Sequence, residues 1–432
     1  MTIKDDAPKA VYIPKARLLD PTTGTDCIGS LFVTPEGRIA PVPEKLPPAS
    51  KMTVIERDNL TVVPGLCDIH VHFRDPGATD SEDIISGSAA AANGGFTRVV
   101  TMPNTNPATD TPEMIRRLRQ APTAVSIYPS ACATVGRRGK QCGALESLEQ
   151  AGAVCFTDDG AMVSNPDVMK VVMMRAKKLN RVVMDHAVRP DLQNGGVVRD
   201  CPIAHELDLP IFPAAAEVEA VRDDIAHCRE TGCALHIQHL SCAESVELIR
   251  AAQKEGLPVS GEVTPHHMAL AAEDIPGNDG NWRMNPPLGT RKDVEALRAG
   301  LLDGTLKYFA TDHAPHSRES KSKGFKAAPF GIIGLETAVA VSWDTMVRQC
   351  GMPALQWAEY WIVNPNRLIG LPPPSLKEGA KAEFAILDTE VEWTVDPEAF
   401  ASKSADTPWA GKTLRGRALA TYRKGKLRAP GL

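Results

Sequence analysis

Apolar and polar positions change rhythm twice along the chain. Over the first sixty residues, short apolar runs are divided by tight turns. Ser30–Val33, the turn sequence Thr34-Pro35-Glu36-Gly37 and Arg38–Val42 predict a hairpin, and Val54-Ile55 and Leu60–Val63 predict further strands. The last fifty residues have the same texture: Ala382–Leu387, then Ala418–Tyr422 followed by Arg423-Lys424-Gly425-Lys426. Two β-rich ends around a long middle predict a small β-sandwich assembled from both termini, residues 1–62 with 372–432.

In the middle, strand-like apolar runs alternate with helical periodicity. Eight strands can be counted: Val63–His72, Thr97–Asn104, Ala124–Ala131, Ala153–Asp158, Arg181–His186, Ala234–Leu240, Pro258–Thr264 and Lys307–Asp312. Thr111-Pro112 and Asn165-Pro166 each place a capping side chain before a first-turn proline, and Ser241-Cys242-Ala243-Glu244 has capping-box spacing. Eight β/α units in series predict an α/β fold, a (β/α)₈ TIM-like barrel over residues 63–371.

Composition narrows the function. The chain has 432 residues, 43% hydrophobic and 23% charged, ordinary globular proportions that exclude a disordered or fibrous protein. Lys+Arg 48 against Asp+Glu 53 gives −5 without a prominent basic run, which argues against nucleic acid as the main partner. Met1–Lys15 has no apolar signal core, and no stretch approaches the roughly 18 apolar residues of a membrane span. Ten scattered cysteines form no C-x-x-C pair, so free thiols in the cytoplasm are expected.

The chemistry gathers at strand ends. His70 and His72 stand at i and i+2, so on a strand both imidazoles face one way and can share a metal. Asp158-Asp159, His186, His239 and Asp312 then recur at the carboxyl ends of strands four, five, six and eight, the rim where barrel enzymes keep their catalytic groups. Counting one Asp of the pair, four His and two Asp are too many for one tetrahedral ion. They suit two divalent ions sharing a bridging carboxylate, with Zn²⁺ favoured over Mn²⁺, Co²⁺ or Fe²⁺. The other histidines read differently. His205 and His227 belong to the surface, His236 should face away from His239, and His313 should point off the barrel axis. His266 and His267 follow strand seven, and support of the ligands is the lesser reading for each. His316 lies in a loop within reach of a bound ligand.

Seven motifs, in order, resemble dihydroorotases of the amidohydrolase superfamily. They are Asp68 to Gly77, Met102-Pro103-Asn104-Thr105-Asn106-Pro107, Phe156-Thr157-Asp158-Asp159-Gly160, Glu262-Val263-Thr264-Pro265-His266-His267, Asn285-Pro286-Pro287-Leu288, Ala310 to His316, and Gly331 to Thr337. The resemblance implies His70, His72 and Asp312 on one metal, His186 and His239 on the other, and Asp159 bridging. Many relatives bridge with a carbamylated lysine, but no lysine occurs from Gln141 to Met169, as in the branch carrying Asp-Asp-Gly. Arg74, Asn104, Asn285 and His316 match substrate-holding positions, Phe330 and Gly331 are expected to meet the pyrimidine edge, and Asp312 matches the catalytic acid/base.

The implied reaction is reversible closure of N-carbamoyl-L-aspartate to L-dihydroorotate in pyrimidine synthesis, through a metal-bound hydroxide. The alternatives are another cyclic amidohydrolase (hydantoinase, dihydropyrimidinase or allantoinase type) and a weakly active homologue scaffolding aspartate transcarbamoylase. A homodimer and transcarbamoylase association are further expectations. Two departures stand beside the site: Ala187-Val188-Arg189 where the family usually reads Cys-Glu-Asp, and Gly289 where an arginine is common. Ser317–Phe330 is expected to be a lid, mobile over its polar part Ser317–Lys323, pivoting at Gly324 and closing through Ala327–Gly331.

Overall fold

In the computed structural model, which describes residues 9–432, both chain ends enter one curled sheet. Its strands run in the order Lys426–Arg428, Thr413–Arg423, Glu383–Thr394, Leu60–Pro64, Ala10–Asp20, Thr25–Val33 and Ile39–Ala40, with Met52–Val54 alongside Ala10–Asp20. The expected hairpin is there, Phe32 facing Ala40 and Val33 facing Ile39. Ala10–Asp20 is the strand that periodicity missed. Pro14, Lys15 and Arg17 break its apolar run, and its register against Thr25–Val33 shifts between Ile13 and Ala16. Val11, Ile13, Val33, Val62, Phe384, Ile386 and Tyr422 pack one core here, the Phe384 and Tyr422 rings stacked at 5.1 Å. The start of the Met1–Lys15 stretch, and of the sandwich expected from residue 1, lies outside the described residues.

The chain is a (β/α)₈ barrel flanked by this β-sandwich. Seven barrel strands are Leu66–Val71, Phe96–Thr101, Phe156–Thr157, Val183–Asp185, Leu235–Ile237, Val259–Val263 and Tyr308–Phe309; the third in order is Ser126–Pro129 continued as Ala131–Cys132. Parallel pairing runs round the set, and His72 N donating to His313 O (2.8 Å) closes first strand on last. One expected strand divides. Val63 and Pro64 belong to the terminal sheet, and the barrel strand begins after Gly65, where any side chain would overlap Thr97.

Thr111 and Asn165 cap their helices as expected, each followed by its proline. The capping box at Ser241–Glu244 does not form. Cys242 is the cap residue, and the Glu217 carboxylate takes the N–H groups of Ser241 and Cys242 while Asp293 takes that of Ala243. A carboxyl group, with two acceptor oxygens, outcompetes a single local hydroxyl for those donors. Outside the barrel, Phe96, Phe156, Leu235, Ile237, Trp357 and Trp361 join the helices to the strands; inside, Cys67, Ile69, Val100, Met102, Val154 and Met184 fill the base. Burying each large apolar side chain contributes about 1.5–3 kcal/mol. That packing fixes the strand ends on which the polar groups stand.

The segment after strand eight corrects the lid expectation. Arg318–Lys321 is a helical turn, and Lys321 is buried, its Nζ donating to the carbonyls of Arg283 (3.1 Å), Pro329 (3.2 Å) and Gly331 (2.5 Å). A lysine stem long enough to reach inward made a polar run look solvated. Among the described residues no helix is long and apolar enough to cross a membrane.

Candidate metal centre

Three clusters of possible ligand atoms lie on the rim: His70, His72 and Asp159; His70, His239 and Asp312; Asp159, His186 and His239. Together they contain all six residues singled out as ligands, every one buried. His72 Nε2 is 3.0 Å from Asp312 Oδ1 and 3.5 Å from Asp159 Oδ2, and His70 Nε2 is 3.2 Å from Asp159 Oδ1. His239 Nε2 approaches His186 Nδ1 at 2.8 Å. Its twin Asp158 turns away to bond Thr134 N (3.0 Å), which leaves Asp159 alone facing the cluster.

Partners behind these groups decide which atoms are free. His70 Nδ1 donates to Glu262 Oε1 at 2.6 Å, and His72 Nδ1 donates to Asn104 Oδ1 at 2.8 Å, so each ring turns its Nε2 lone pair toward the rim. His186 Nε2 lies 3.0 Å from the Asn285 amide, whose Oδ1 is otherwise unpartnered. A half-turn of that amide gives an N–H···O bond when His186 binds through Nδ1. Asp68 accepts from His70 N and Thr311 N (both 3.1 Å), joining first and last strands beneath the ligands. Arg137 holds the backbone carbonyls of Asp158 and Asp159. His239, Asp312, Arg74 and Arg137 all have positive φ, strain that a functional site retains only when its surroundings impose it.

Charge at the cluster calls for cations. Burial works to lower the His70 pKa, yet Asp159, Glu262 and Asp312 outweigh it and hold it well above the usual value. Burial opposes ionisation of Asp159 and Asp312, but the surrounding imidazoles keep both below the usual carboxylate range. Glu262 falls to about 2 because His70 and His236 overcome its burial. His239 is pushed down to about 3 by burial and by His186, so it presents a neutral ring. His70 Nε2 and Asp159 Oδ1 are also buried without a hydrogen-bond partner. Leaving a polar atom so costs about 1–3 kcal/mol. A divalent ion between neutral imidazoles and ionised carboxylates answers both the charge and the orphaned atoms.

Across from this cluster, the Arg74 Nε donates to Pro315 O (3.1 Å). His316 Nε2 donates to Phe330 O at 2.7 Å, so the 3.4 Å approach of Arg74 Nη2 to that nitrogen joins two donors and leaves an Arg74 N–H for another acceptor. Gly331 has φ 136°, and a Cβ there would come within 2.5 Å of Ala314 O. Its N–H bonds Arg283 O and its carbonyl bonds Lys321, so the segment is held beside Arg74.

Asn104 and Asn285, expected to hold substrate, here touch the imidazoles of His72 and His186. His236 is corrected too. The strand ends at Ile237 and the chain turns at His239, so alternation does not carry across, and His236 stands inside the barrel bonded to Glu262 (3.1 Å). His313 does turn off the axis, to Glu82, and His205 is on the surface; His227 is only half-buried. His267 is tied to Pro286 O, and His266 Nε2 is buried without a partner. Asp68, Glu262, Arg137 and Lys321 were not singled out. Asp68 and Glu262 lie within the recognised motifs, whereas nothing local marks Arg137 or Lys321.

The departures point away from the ligands. Ala187 and Val188 are buried, and Arg189 pairs outward with Asp191 and Asp223. Gly289 packs on Ser241 O, where a Cβ would lie at 2.4 Å, so no arginine fits.

A family model described as "Dihydro-orotase-like" matches residues 60–245. A dihydroorotase of Bacillus caldolyticus is 41% identical over 395 residues, 90% of this chain and 92% of the relative. One of Pelotomaculum thermopropionicum is 39% identical over 419 residues, 96% and 98% respectively. Among solved structures, the L-hydantoinase (dihydropyrimidinase) of Arthrobacter aurescens superimposes with a TM-score of 0.83 at 22% identity, covering 97% of this chain and 96% of that one. The last is a likeness of fold.

Proposed function

The chain belongs to the dihydroorotase family, an enzyme acting on a cyclic amide C–N bond, and from that premise we propose how its own residues carry the interconversion of N-carbamoyl-L-aspartate and L-dihydroorotate. The observation that carries the proposal is the meeting of six buried ligand groups on one rim, with Asp159 common to two of the three clusters. His70, His72 and Asp312 would hold one divalent ion and His186 and His239 a second, with Asp159 shared; imidazole with carboxylate suits Zn²⁺. Bound there, such ions make water acidic enough to attack at neutral pH and polarise the amide carbonyl.

In ring opening, Asp312 takes the proton of the water that adds to the carbonyl carbon and passes it to the ring nitrogen as the C–N bond breaks. In ring closure the proton returns by the same oxygen. Neighbouring imidazoles keep Asp312 ionised beforehand, ready to accept. Arg74 offers its free N–H to the substrate carboxylate, and the held Phe330–Gly331 segment forms the facing wall. Asn104 and Asn285 set the tautomers of His72 and His186 from the side on which substrate enters. We move the domain division expected at 62/63 to 64/65, because Val63 and Pro64 still pair in the terminal sheet, and keep the other at 371/372. The cytoplasm, a homodimer and association with aspartate transcarbamoylase belong to the same proposal. They rest on the family resemblance and, for the compartment, on ten free cysteines.

The test is an assay of both directions with metal content measured on the same sample. Two ions per chain with activity toward dihydroorotate is expected; full activity with at most one ion overturns the two-ion arrangement. Sedimentation alone and with transcarbamoylase checks the assembly.

A further inference from the structure

At the opposite end of the barrel from the metal clusters, where strand three begins, a cavity of about 670 Å³ lies between Gln120–Tyr128 and the hairpin that ends the terminal sheet. Arg119, Arg423, Lys424, Lys426 and Arg428 line it, and no Asp or Glu does. None of these five forms an ion pair among the described residues, although Arg116, Arg117 and Arg415 close by in sequence all do. In a chain of net charge −5, five unpaired cations around one depression are not an average of the surface.

Two of the five are anchored by their side chains. Arg119 donates to Ile127 O (2.9 Å) and lies over the Tyr128 ring at 4.4 Å, and Arg423 donates to Ser126 Oγ (3.0 Å). Lys424 occupies the tip of a two-residue turn with φ 50°, followed by Gly425 at φ 76°. That left-handed position favours Asn or Gly, and a lysine held there keeps an ammonium over the cavity at a conformational cost. Repulsion from Arg423, added to partial burial and Arg119, lowers the Lys424 pKa against the weaker opposing pull of Glu383. Charged residues on an edge strand do guard it against pairing, which covers Lys426 and Arg428. It does not cover Arg119, contributed by a barrel helix, or Arg423, anchored to barrel strand three.

We propose that this cavity binds a small polyphosphate anion, such as a nucleoside di- or triphosphate, held through its phosphates. The volume lies in the usual range for small ligands, roughly 300–1,000 Å³. Two or three linked phosphates would match the charge of the two fixed guanidinium groups and the hairpin lysines. With the Tyr128 face already covered by Arg119, recognition falls on phosphate more than on a base.

The test is calorimetry of the metal-loaded enzyme with tripolyphosphate and, separately, a nucleoside triphosphate, at low and moderate salt. Binding should weaken at least tenfold in the K424E/K426E double variant while dihydroorotate turnover stays unchanged. Polyphosphate held by the metal rim instead would be untouched by the double substitution, so equal binding by variant and wild type overturns the proposal. So does sulfate binding as tightly as tripolyphosphate at equal ionic strength. A short single-stranded oligonucleotide binding more tightly than either probe would reassign the surface to nucleic acid and overturn it as well.

Discussion

The rim of the barrel and the terminal sheet are both buried and both well filled, but they are held by opposite means. In the terminal sheet, ladder hydrogen bonds and apolar contacts agree: Phe384 stacks on Tyr422, and Val62 and Ile386 pack beside them. On the rim, charges are crowded and atoms are left over. Asp159 and Asp312 face four imidazoles, His70 Nε2 and Asp159 Oδ1 have no partner, and His239 and Asp312 are bent to positive φ. One region is arranged to be stable, the other to bind what it lacks. Removing a rim group should therefore cost function before stability, and removing a sheet group the reverse.

The largest expected effect lies on the rim. Asp312→Asn removes the proposed proton carrier and should lower turnover by about 10²–10⁴-fold, with KM for dihydroorotate changed far less. A variant with near-normal turnover would take Asp312 out of the reaction. The matching change in the sheet is Phe384→Ala. It should lower unfolding free energy by about 3–5 kcal/mol, read by denaturant titration, and leave KM untouched at temperatures where the protein stays folded. A loss of turnover as large as that of the Asp312 variant would erase the distinction between the regions.

The same contrast decides what the sequence could tell. The candidate ligands on the rim were legible because each sits at the end of an apolar run, where composition changes abruptly: His70 in Asp68-Ile69-His70-Val71-His72, Asp159 after Phe156-Thr157, Asp312 after Phe309-Ala310. Barrel strands were legible for the same reason. The first long strand of the sheet was not, because Pro14, Lys15 and Arg17 interrupt it and long-range pairing with Thr25–Val33 and Leu60–Pro64 makes up the difference. Glu217 and Lys321 were hidden for another reason. Each looks like an ordinary surface charge until its distant partners, Ser241 and Cys242 for one and three carbonyls for the other, come together. His236 was misread because alternation was carried past the end of its strand.

A smaller effect separates holding a ligand from being one. Glu262 touches no substrate in the proposed arrangement, yet it fixes the proton of His70 on Nδ1 and reaches His236 on its other side. Glu262→Gln keeps the volume and removes the charge. Metal affinity should fall by about 10–100-fold, measured by competition with a chelator, and turnover should largely recover at saturating metal. Unchanged affinity would mean that His70 needs no fixed partner.

The smallest effect tests whether the wall facing the candidate metal centre is part of the rim or only an attached loop. Lys321 is the one buried ammonium holding Arg283, Pro329 and Gly331 together, and burial pushes its pKa down to about 8. Lys321→Met fills the same space and leaves the Pro329 and Gly331 carbonyls without a donor, while Arg283 O keeps the Gly331 N–H, at a cost of about 1–3 kcal/mol. If the segment only covers solvent, that loss appears as stability alone. If Phe330 and Gly331 form the wall against which substrate lies, part of it appears as binding, because the free segment must first be ordered by the ligand. KM for dihydroorotate should then rise several-fold with little change in turnover, and amide exchange at Ala327–Gly331 should become fast in the free variant and slow again when dihydroorotate is added. In the wild-type enzyme the same amides should already exchange slowly without ligand. Exchange that speeds up in the variant while KM stays fixed would place the segment outside the working rim.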